Sequence, residues 1–318
     1  MTLKSFLKLV EIQTKVASMV PFAIGSVYAL YRFKTFNVTN ALLMLASLLF
    51  IDMATTTINN LLDFKRARAK EAYGFTTHNA IVKYEMKEST VKGVIGVLVG
   101  LAVVFGALLF LNTQFNLVIL ALGGASFLVG VTYSFGPIPI SRTPFGEIFS
   151  GGFMGLVIPF LAVYIHDFDQ HLIDFSLVNG LFSLNLKLDE LIYIFLLSVP
   201  VAAGIANIML ANNICDIEED RENLRYTLPI YIGRQNSLRV FGGLYAVGYA
   251  ALIALVVAHG APPLVLAVLA TAPIVWRHFQ IFNKKQSKHE TFALSVKNLL
   301  IVNVALVLAL AVALVFKV

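Results

Sequence analysis

Two short runs of amide and carboxylate residues stand at the ends of hydrophobic stretches, and they are the residues best suited to chemistry. The first is Asn59-Asn60-Leu61-Leu62-Asp63, and the second is Asn212-Asn213-Ile214-Cys215-Asp216. In each run an asparagine and an aspartate four residues apart share one helix face. Such side chains in or beside a membrane span are costly and usually face a cavity. Two converging faces therefore predict a site for a divalent metal and a diphosphate.

The first run extends a polar stripe along its helix. Asp52, Thr56, Asn59 and Asp63 follow one another at spacings of four, three and four residues, which places them on one face. We predict that this stripe faces the interior of a helix bundle. The alternative is that the side chains only form hydrogen bonds between helices, a common role for threonine and asparagine; the two aspartates favour a site.

The second run continues at the same spacing, because Asp220 follows Asp216 by four residues. Carboxylate and amide oxygens are the ligands that Mg²⁺ prefers, and Mg²⁺ shares them with phosphates. A solvated acidic turn is the alternative for this segment. The candidate catalytic residues, which are also candidate Mg²⁺ ligands, are Asn59, Asp63, Asn212, Asp216 and Asp220.

The composition indicates which elements position these residues. Of the 318 residues, 58% are hydrophobic and 13% are charged, whereas soluble domains carry about 25% charged residues. A single cysteine excludes an internal disulfide framework. We predict an all-α membrane protein with about nine transmembrane helices in a single bundle. The predicted spans cover roughly residues 14–33, 38–62, 90–111, 116–135, 145–165, 189–214, 237–258, 262–280 and 291–316.

The net charge of +6 is distributed as in a membrane protein. If the N-terminus is cytoplasmic, the inner segments carry 19 of the 24 Lys and Arg residues and the outer segments carry 4. This bias predicts a cytoplasmic N-terminus and cytoplasmic motif loops. We expect the cell membrane as the location and a lipid bilayer as the partner, with no nucleic acid. We also expect the outer segment 166–188 to be a solvated loop.

The two runs also suggest a weak internal repeat. Asn59 and Asn212 are 153 residues apart, as are Asp63 and Asp216. Each run ends a span and precedes a basic loop, which favours a real repeat over a chance match. Duplicated bundles often hold their site between the halves. We therefore predict one domain over residues 1–318, with repeat halves at about 14–135 and 145–316.

Two segments resemble a known family. Asn212–Asp220, followed by Asn223-Leu224-Arg225-Tyr226-Thr227-Leu228-Pro229-Ile230-Tyr231-Ile232-Gly233, is similar to the second aspartate-rich motif of the UbiA-type intramembrane prenyltransferases. The 1,4-dihydroxy-2-naphthoate polyprenyltransferases of menaquinone synthesis are the branch that it resembles most. The turn Gly136-Pro137-Ile138-Pro139 with Gly146-Glu147 is similar to the segment after span four in that branch. The resemblance covers nearly the whole chain.

This resemblance implies a fold and a reaction. The fold would be a nine-helix bundle with a cavity open to the membrane. The reaction would be Mg²⁺-dependent transfer of a polyprenyl group from polyprenyl diphosphate to dihydroxynaphthoate, with loss of CO₂ and diphosphate, to give demethylmenaquinone. Other members of the superfamily prenylate other acceptors, and the chemistry of the residues alone does not choose among them.

The residues expected to bind the substrates fall into two groups. Cationic side chains near the two runs are candidates for the diphosphate. Residues of the other inner loops are candidates for binding the aromatic acceptor. Among them, the ring of Tyr133 can stabilise an allylic cation, and Glu147 either orients a hydroxyl of the acceptor or caps span five. The first group is Lys65, Arg66, Arg68, Arg221 and Arg225, and the second is Lys83, Tyr133, Ser141, Arg142 and Glu147.

The first run departs from the family pattern. A further acidic residue usually follows the first aspartate by one or two turns, but Ala67 and Ala69 follow Asp63 here. The next acid on the same face is Glu71. The first run therefore either supplies fewer metal ligands than usual or has its set of ligands completed by Glu71.

Two other functions fit parts of the pattern. A secondary transporter also has repeats and intramembrane polar residues, but its charges lie near the membrane midplane, whereas these runs end their spans. A non-catalytic protein that binds isoprenoids or quinones would explain the acid missing after Asp63.

Overall fold

The computed structural model of the protein describes residues 1–66, 79–136, 139–168, 172–178 and 181–316. In these residues, seven helices are long and apolar enough to cross a membrane, which confirms the predicted α-helical, multi-pass membrane protein. The count of nine is not confirmed. The helices at the first and fourth predicted spans, Val16–Arg32 and Leu117–Ser134, are shorter than these seven.

The elements follow one another as helices with one β-hairpin between the eighth and ninth. Short 3₁₀ turns (Ile12–Lys15, Ile140–Arg142) and a π-helical turn (Phe153–Val157) connect some of them. A longer 3₁₀ segment, Pro263–Thr271, leads directly into the twelfth helix. The order is α1 Leu3–Leu9, α2 Val16–Arg32, α3 Val38–Arg66, α4 Ala80–Lys83, α5 Glu88–Asn112, α6 Leu117–Ser134, α7 Gly146–Gly152, α8 Ile158–Tyr164, β1 Ile173–Val178, β2 Leu181–Leu186, α9 Leu188–Cys215, α10 Ile217–Glu222, α11 Leu228–Val257, α12 Ala272–Lys284 and α13 Ala293–Phe316.

Helix α9 is the central element of the bundle. It packs against α2, α7, α8, α11 and α13, and most of its apolar stretch is buried. Asp189 and Glu190 occupy its first turn, where carboxylates interact favourably with the positive end of the helix dipole. The helix ends at Cys215. It therefore carries the second polar run to one end of the bundle, which we name the motif end.

Two glycines bring the chain around α7 unusually close to α9. A Cβ on Gly155 would lie 2.2 Å from the Ala202 Cα, and a Cβ on Gly151 would lie 2.9 Å from the Ala202 carbonyl oxygen. Small residues allow helix backbones in membrane bundles to approach in this way. Glu147 precedes Gly151 by four residues, so the same close packing directs its side chain towards α9.

The first half of the chain packs around α3. This helix contacts α5 and α6, and the Ser47 hydroxyl donates a 2.9 Å hydrogen bond to the Ala102 carbonyl of α5. Helix α2 packs mainly against α8 and α13, and thereby connects the first half to the second. The division into repeat halves at 14–135 and 145–316 stays a prediction.

The segment 166–188 includes a β-hairpin and a buried start that the sequence did not predict, whereas residues 183–188 are exposed as predicted. Residues Ile173–Val178 and Leu181–Leu186 form an antiparallel hairpin with Ile173 opposite Leu186. His166 is buried, accepts a 3.0 Å hydrogen bond from the Asn37 amide and stacks on Phe36 at 4.4 Å. Tertiary contacts of this kind leave no periodic pattern along the chain.

Candidate active site

The second polar run changes direction at its central aspartate. Asn212 lies in the last turn of α9, whereas Asp216 is the residue between α9 and α10. Asp216 and Asp220 are both buried, and the Asp220 amide donates a 2.7 Å hydrogen bond to the Asp216 carbonyl. The predicted one-turn spacing is therefore retained across a helix break.

Asp220 is held by residues just downstream of it. The Thr227 hydroxyl donates a 3.1 Å hydrogen bond to Oδ2 of Asp220, and Arg225 Nε lies 3.4 Å from Oδ1. Burial raises the pKa of Asp220 to about 6; the Arg225 charge opposes this effect and the Asp216 charge adds to it. Asp220 and Arg225 thus form an ion pair that is largely removed from solvent.

Asp216 forms an ion pair with a residue that the sequence analysis did not identify. Lys288, in the connection between α12 and α13, contacts Oδ2 of Asp216 through its ammonium group. The two residues are 72 positions apart. The only signal in the sequence was the cluster of positive charge in the loop before the last span.

The inward part of the first stripe faces the N-terminal segment. Lys15, at the end of the first 3₁₀ turn, has its ammonium 2.6 Å from Oδ1 of Asp52 and 2.7 Å from the Thr56 hydroxyl. The Ser18 hydroxyl donates a 2.6 Å hydrogen bond to Oδ2 of Asp52. Lys15 is almost fully buried. Asp52 and Thr56 therefore face the interior as predicted, with Lys15 as a partner that sequence reasoning missed.

Asp63 lies at the end of this stripe and is exposed. Asn59, one turn before it, is half-buried. Its charge acts on both Glu219 and Arg225. The carboxylate of the first run is thus within electrostatic range of the residues around the second run. The ends of both runs therefore lie at the motif end of the bundle.

The loop after α6 joins the loop after α10 at the same place. The Arg142 guanidinium donates a 3.1 Å hydrogen bond to the Asn223 carbonyl, and the Tyr226 amide donates one of 3.1 Å to the Arg142 carbonyl. Arg225 donates a longer, 3.4 Å bond to the Ser141 carbonyl. Arg225, predicted to bind the diphosphate, is therefore in direct contact with Ser141, predicted to bind the acceptor.

Glu147 is buried between α7 and α9. The Asn213 side-chain amide donates a 2.9 Å hydrogen bond to its Oε1. Within the described residues, Oε2 of Glu147 and Oδ1 of Asn213 have no hydrogen-bond partner. Tyr133 is close by, with its hydroxyl beside Gly146 and within electrostatic range of Arg225. This pair of unpartnered oxygens can accept hydrogen bonds from a ligand.

Other predicted residues are not brought to this point. Lys65 is paired with Glu88 at 2.5 Å on an exposed surface, and Arg221 is exposed beside Glu218 at 3.7 Å. Lys83 is exposed at the end of α4. The side chain of Arg66, and the whole of Arg68 and Glu71, lie outside the described residues.

The donor atoms at the motif end suit a hard cation. They are carboxylate and amide oxygens, the set that Mg²⁺ and Mn²⁺ prefer. In the part of the chain that the structure describes, no group of three His, Cys, Asp or Glu side chains converges on one point. A Lys288 ammonium instead neutralises Asp216. The donors therefore fit a divalent cation in type, and one of them, Asp216, is already paired with a cationic group.

Comparison with known proteins gives a consistent result for the whole chain. The model of the UbiA prenyltransferase family matches residues 18–304. The 1,4-dihydroxy-2-naphthoate octaprenyltransferase of Bacillus subtilis (strain 168) is 32% identical over 261 residues, which cover 82% of this chain and 76% of that protein.

Solved structures share the fold at low sequence identity. A UbiA homologue from Aeropyrum pernix K1, solved without ligand, aligns with a TM-score of 0.66 and 19% identity over 91% of this chain and 97% of its own. A UbiA homologue from Archaeoglobus fulgidus, bound to GPP and Mg²⁺, aligns with a TM-score of 0.64 and 14% identity over 98% and 99%.

Proposed function

The chain belongs to the UbiA prenyltransferase family, and from this premise we propose that it transfers a polyprenyl group from polyprenyl diphosphate to 1,4-dihydroxy-2-naphthoate. In this reaction the bond from the prenyl carbon to the diphosphate breaks and a bond to the naphthalene ring forms. The ring carboxylate leaves as CO₂, and the product at this oxidation level is demethylmenaquinol, which molecular oxygen oxidises to demethylmenaquinone before detection. The observation that carries the proposal is that Arg225, beside Asp220, contacts the Ser141 carbonyl, with the charge of Asp63 near enough to act on it.

The diphosphate would bind where the two runs meet. Arg225 presents a guanidinium that matches phosphate oxygens, and Lys65, Arg66, Arg68 and Arg221 stay candidates for the same role. Bound Mg²⁺ would neutralise charge on the leaving diphosphate. The residues that would hold it are Asn59, Asp63, Asn212, Asp216 and Asp220, with Glu71 as a further candidate.

The aromatic acceptor would bind beside the loop after α6. The unpartnered Oε2 of Glu147 can accept a hydrogen bond from a ring hydroxyl and so orient the ring. Arg142 and Ser141, with Lys83 as a further candidate, would interact with the carboxylate. The Tyr133 ring can stabilise positive charge on the prenyl carbon.

The relative from Bacillus subtilis supports dihydroxynaphthoate over other acceptors. We also propose that the protein is located in the cell membrane with its N-terminus and motif end on the cytoplasmic side, because the Lys and Arg residues are concentrated in those segments. In this orientation the polar diphosphate enters from the cytoplasm while its prenyl chain stays in the membrane.

An acceptor panel tests the substrate. Purified protein in lipid is incubated with octaprenyl diphosphate, Mg²⁺ and one acceptor at a time, either 1,4-dihydroxy-2-naphthoate or 4-hydroxybenzoate, and products are identified by mass spectrometry. We expect demethylmenaquinone with the naphthoate only, and no product when EDTA replaces Mg²⁺. If only 4-hydroxybenzoate gave a product, the proposed prenyl transfer would stand, and dihydroxynaphthoate as its acceptor would be contradicted.

A further inference from the structure

Lys288 pairs with the central aspartate of the second polar run without belonging to either run. Its ammonium contacts the Asp216 carboxylate, whose side chain is 8% exposed, whereas the Lys288 side chain is 28% exposed. The ion pair thus lies at the boundary between the protein interior and solvent. A cation in this position can leave the carboxylate without crossing the protein interior.

The Lys288 side chain does not contribute to the hydrogen bonds that hold its loop together. The Thr291 hydroxyl donates a 2.8 Å hydrogen bond to the Lys285 carbonyl and accepts one of 2.9 Å from the Ser287 amide. Lys285 in turn forms an exposed ion pair with Glu290 at 2.6 Å. Because backbone and Thr291 contacts hold the loop together, the Lys288 side chain can move while the loop keeps its conformation.

Lys288 is a cation that acts, together with Arg225, on a group of buried or half-buried carboxylates. Its charge acts on Glu219 and on Asp220, as does that of Arg225. Asp216 also acts on both of these acids. Without Lys288, like charges close together would repel, and the site would attract another cation more strongly.

We propose that Lys288 is an exchangeable internal counter-ion of the site. It neutralises Asp216 in the substrate-free protein, competes there with a divalent cation, and on release pairs with the diphosphate of the substrate. This inference rests on the proposed function for the identity of the anion. It assigns a positioning residue in the loop between α12 and α13, outside both polar runs.

Metal binding without substrate tests the first step. The probe is Mn²⁺, measured by electron paramagnetic resonance of the free ion on full-length protein in detergent. We expect Lys288→Met to bind Mn²⁺ about tenfold more tightly than wild type, because a competing cation is removed. Lys288→Arg retains the charge and should resemble wild type. Unchanged or weaker Mn²⁺ binding by Lys288→Met would overturn the proposal.

A matched control and a double variant distinguish competition for the Asp216 carboxylate from the loss of any positive charge in this loop. Lys285→Met removes the same charge from the same loop and should leave Mn²⁺ affinity unchanged. In an Asp216→Asn background, Lys288→Met should no longer tighten Mn²⁺ binding, because the competition is for that carboxylate. An equal gain from Lys285→Met, or a gain that persists with Asp216→Asn, would contradict a specific counter-ion.

Inorganic pyrophosphate tests the second step. With Mn²⁺ at saturation, we expect Lys288→Met to bind pyrophosphate about tenfold more weakly than wild type, as measured by calorimetry. Equal pyrophosphate affinity would overturn the transfer of Lys288 to the diphosphate. Neither binding measurement requires an aromatic acceptor, so failure of the naphthoate assay and failure of this proposal are distinguishable.

Discussion

Asn213 of α9 donates a 2.9 Å hydrogen bond to Glu147 of α7, and this contact joins the loop after α6 to the second polar run. It forms because Gly151 and Gly155 let the α7 region approach Ala202 of α9. The close packing of two glycines on one alanine therefore positions a carboxylate of the candidate acceptor site.

Enlarging Gly155 tests this packing. We expect Gly155→Ala to lower the free energy of unfolding by about 1–3 kcal/mol, because the new Cβ would overlap Ala202. The measurement is thermal unfolding of the purified protein in detergent. Gly152→Ala is the matched control, since a Cβ there meets nothing within 4 Å. Equal stability of the two variants would show that α7 does not depend on this contact.

The buried ion pair of Lys15 and Asp52 gives a second prediction. Lys15→Met leaves the Asp52 carboxylate without its cation, and breaking a buried pair costs about 3–5 kcal/mol. The double variant Lys15→Met with Asp52→Asn should recover part of this loss, because no uncompensated charge remains. Chemical denaturation measures the free energy of unfolding of the single and the double variant. Lys4→Met, at an exposed position of the first helix, is the control. A double variant no more stable than Lys15→Met alone would argue against the pair.

Arg225 and Arg221 provide a matched test of diphosphate binding. Arg225 is largely buried between Asp220 and the Ser141 carbonyl, whereas Arg221 is exposed. Arg225→Lys keeps the charge but loses the planar fork that pairs with phosphate. We expect its KM for polyprenyl diphosphate to rise about tenfold, and we expect a smaller rise for Arg221→Lys because Arg221 is exposed. The reverse order of effects would place the diphosphate nearer to the exposed arginine.

His166 predicts a pH dependence of stability at the opposite end of the bundle. Burial lowers the pKa of His166 from 6.5 to about 4. The unfolded chain therefore binds more protons between these pH values, and stability should fall as the pH decreases from about 6.5 to about 4. The measurement is the unfolding midpoint of wild type and His166→Asn across this range. An identical pH profile for the two proteins would contradict a neutral, buried histidine.

The sequence predicts the bundle and the two polar runs because these follow from local patterns. Long apolar stretches predict spans, and the spacing of Asp52 and Thr56 predicts an inward face, which the structure confirms. The contact of Lys288 with Asp216 joins residues 72 positions apart. Only the packed helices bring such residues together, so no local pattern predicts their contact.

Other differences have the same origin. The helix break at Asp216 lies inside a run that reads as continuous helix by spacing alone. The burial of His166 arises from contacts with the chain around Asn37, and the hairpin within 166–188 arises from pairing between its own two strands. Polar composition predicts exposure on average, and tertiary hydrogen bonds override it at single residues.

Product formation by wild type, Asp63→Asn and Asp216→Asn tests most directly that the two runs form one prenyl-transfer site. The assay measures demethylmenaquinone by mass spectrometry after incubation with 1,4-dihydroxy-2-naphthoate, polyprenyl diphosphate and Mg²⁺, with the exposed Asp189→Asn as control. We expect wild type and control to form product and each site variant to lose at least ~100-fold in rate. Wild-type rates in either site variant, or no product from folded wild type, would contradict the account.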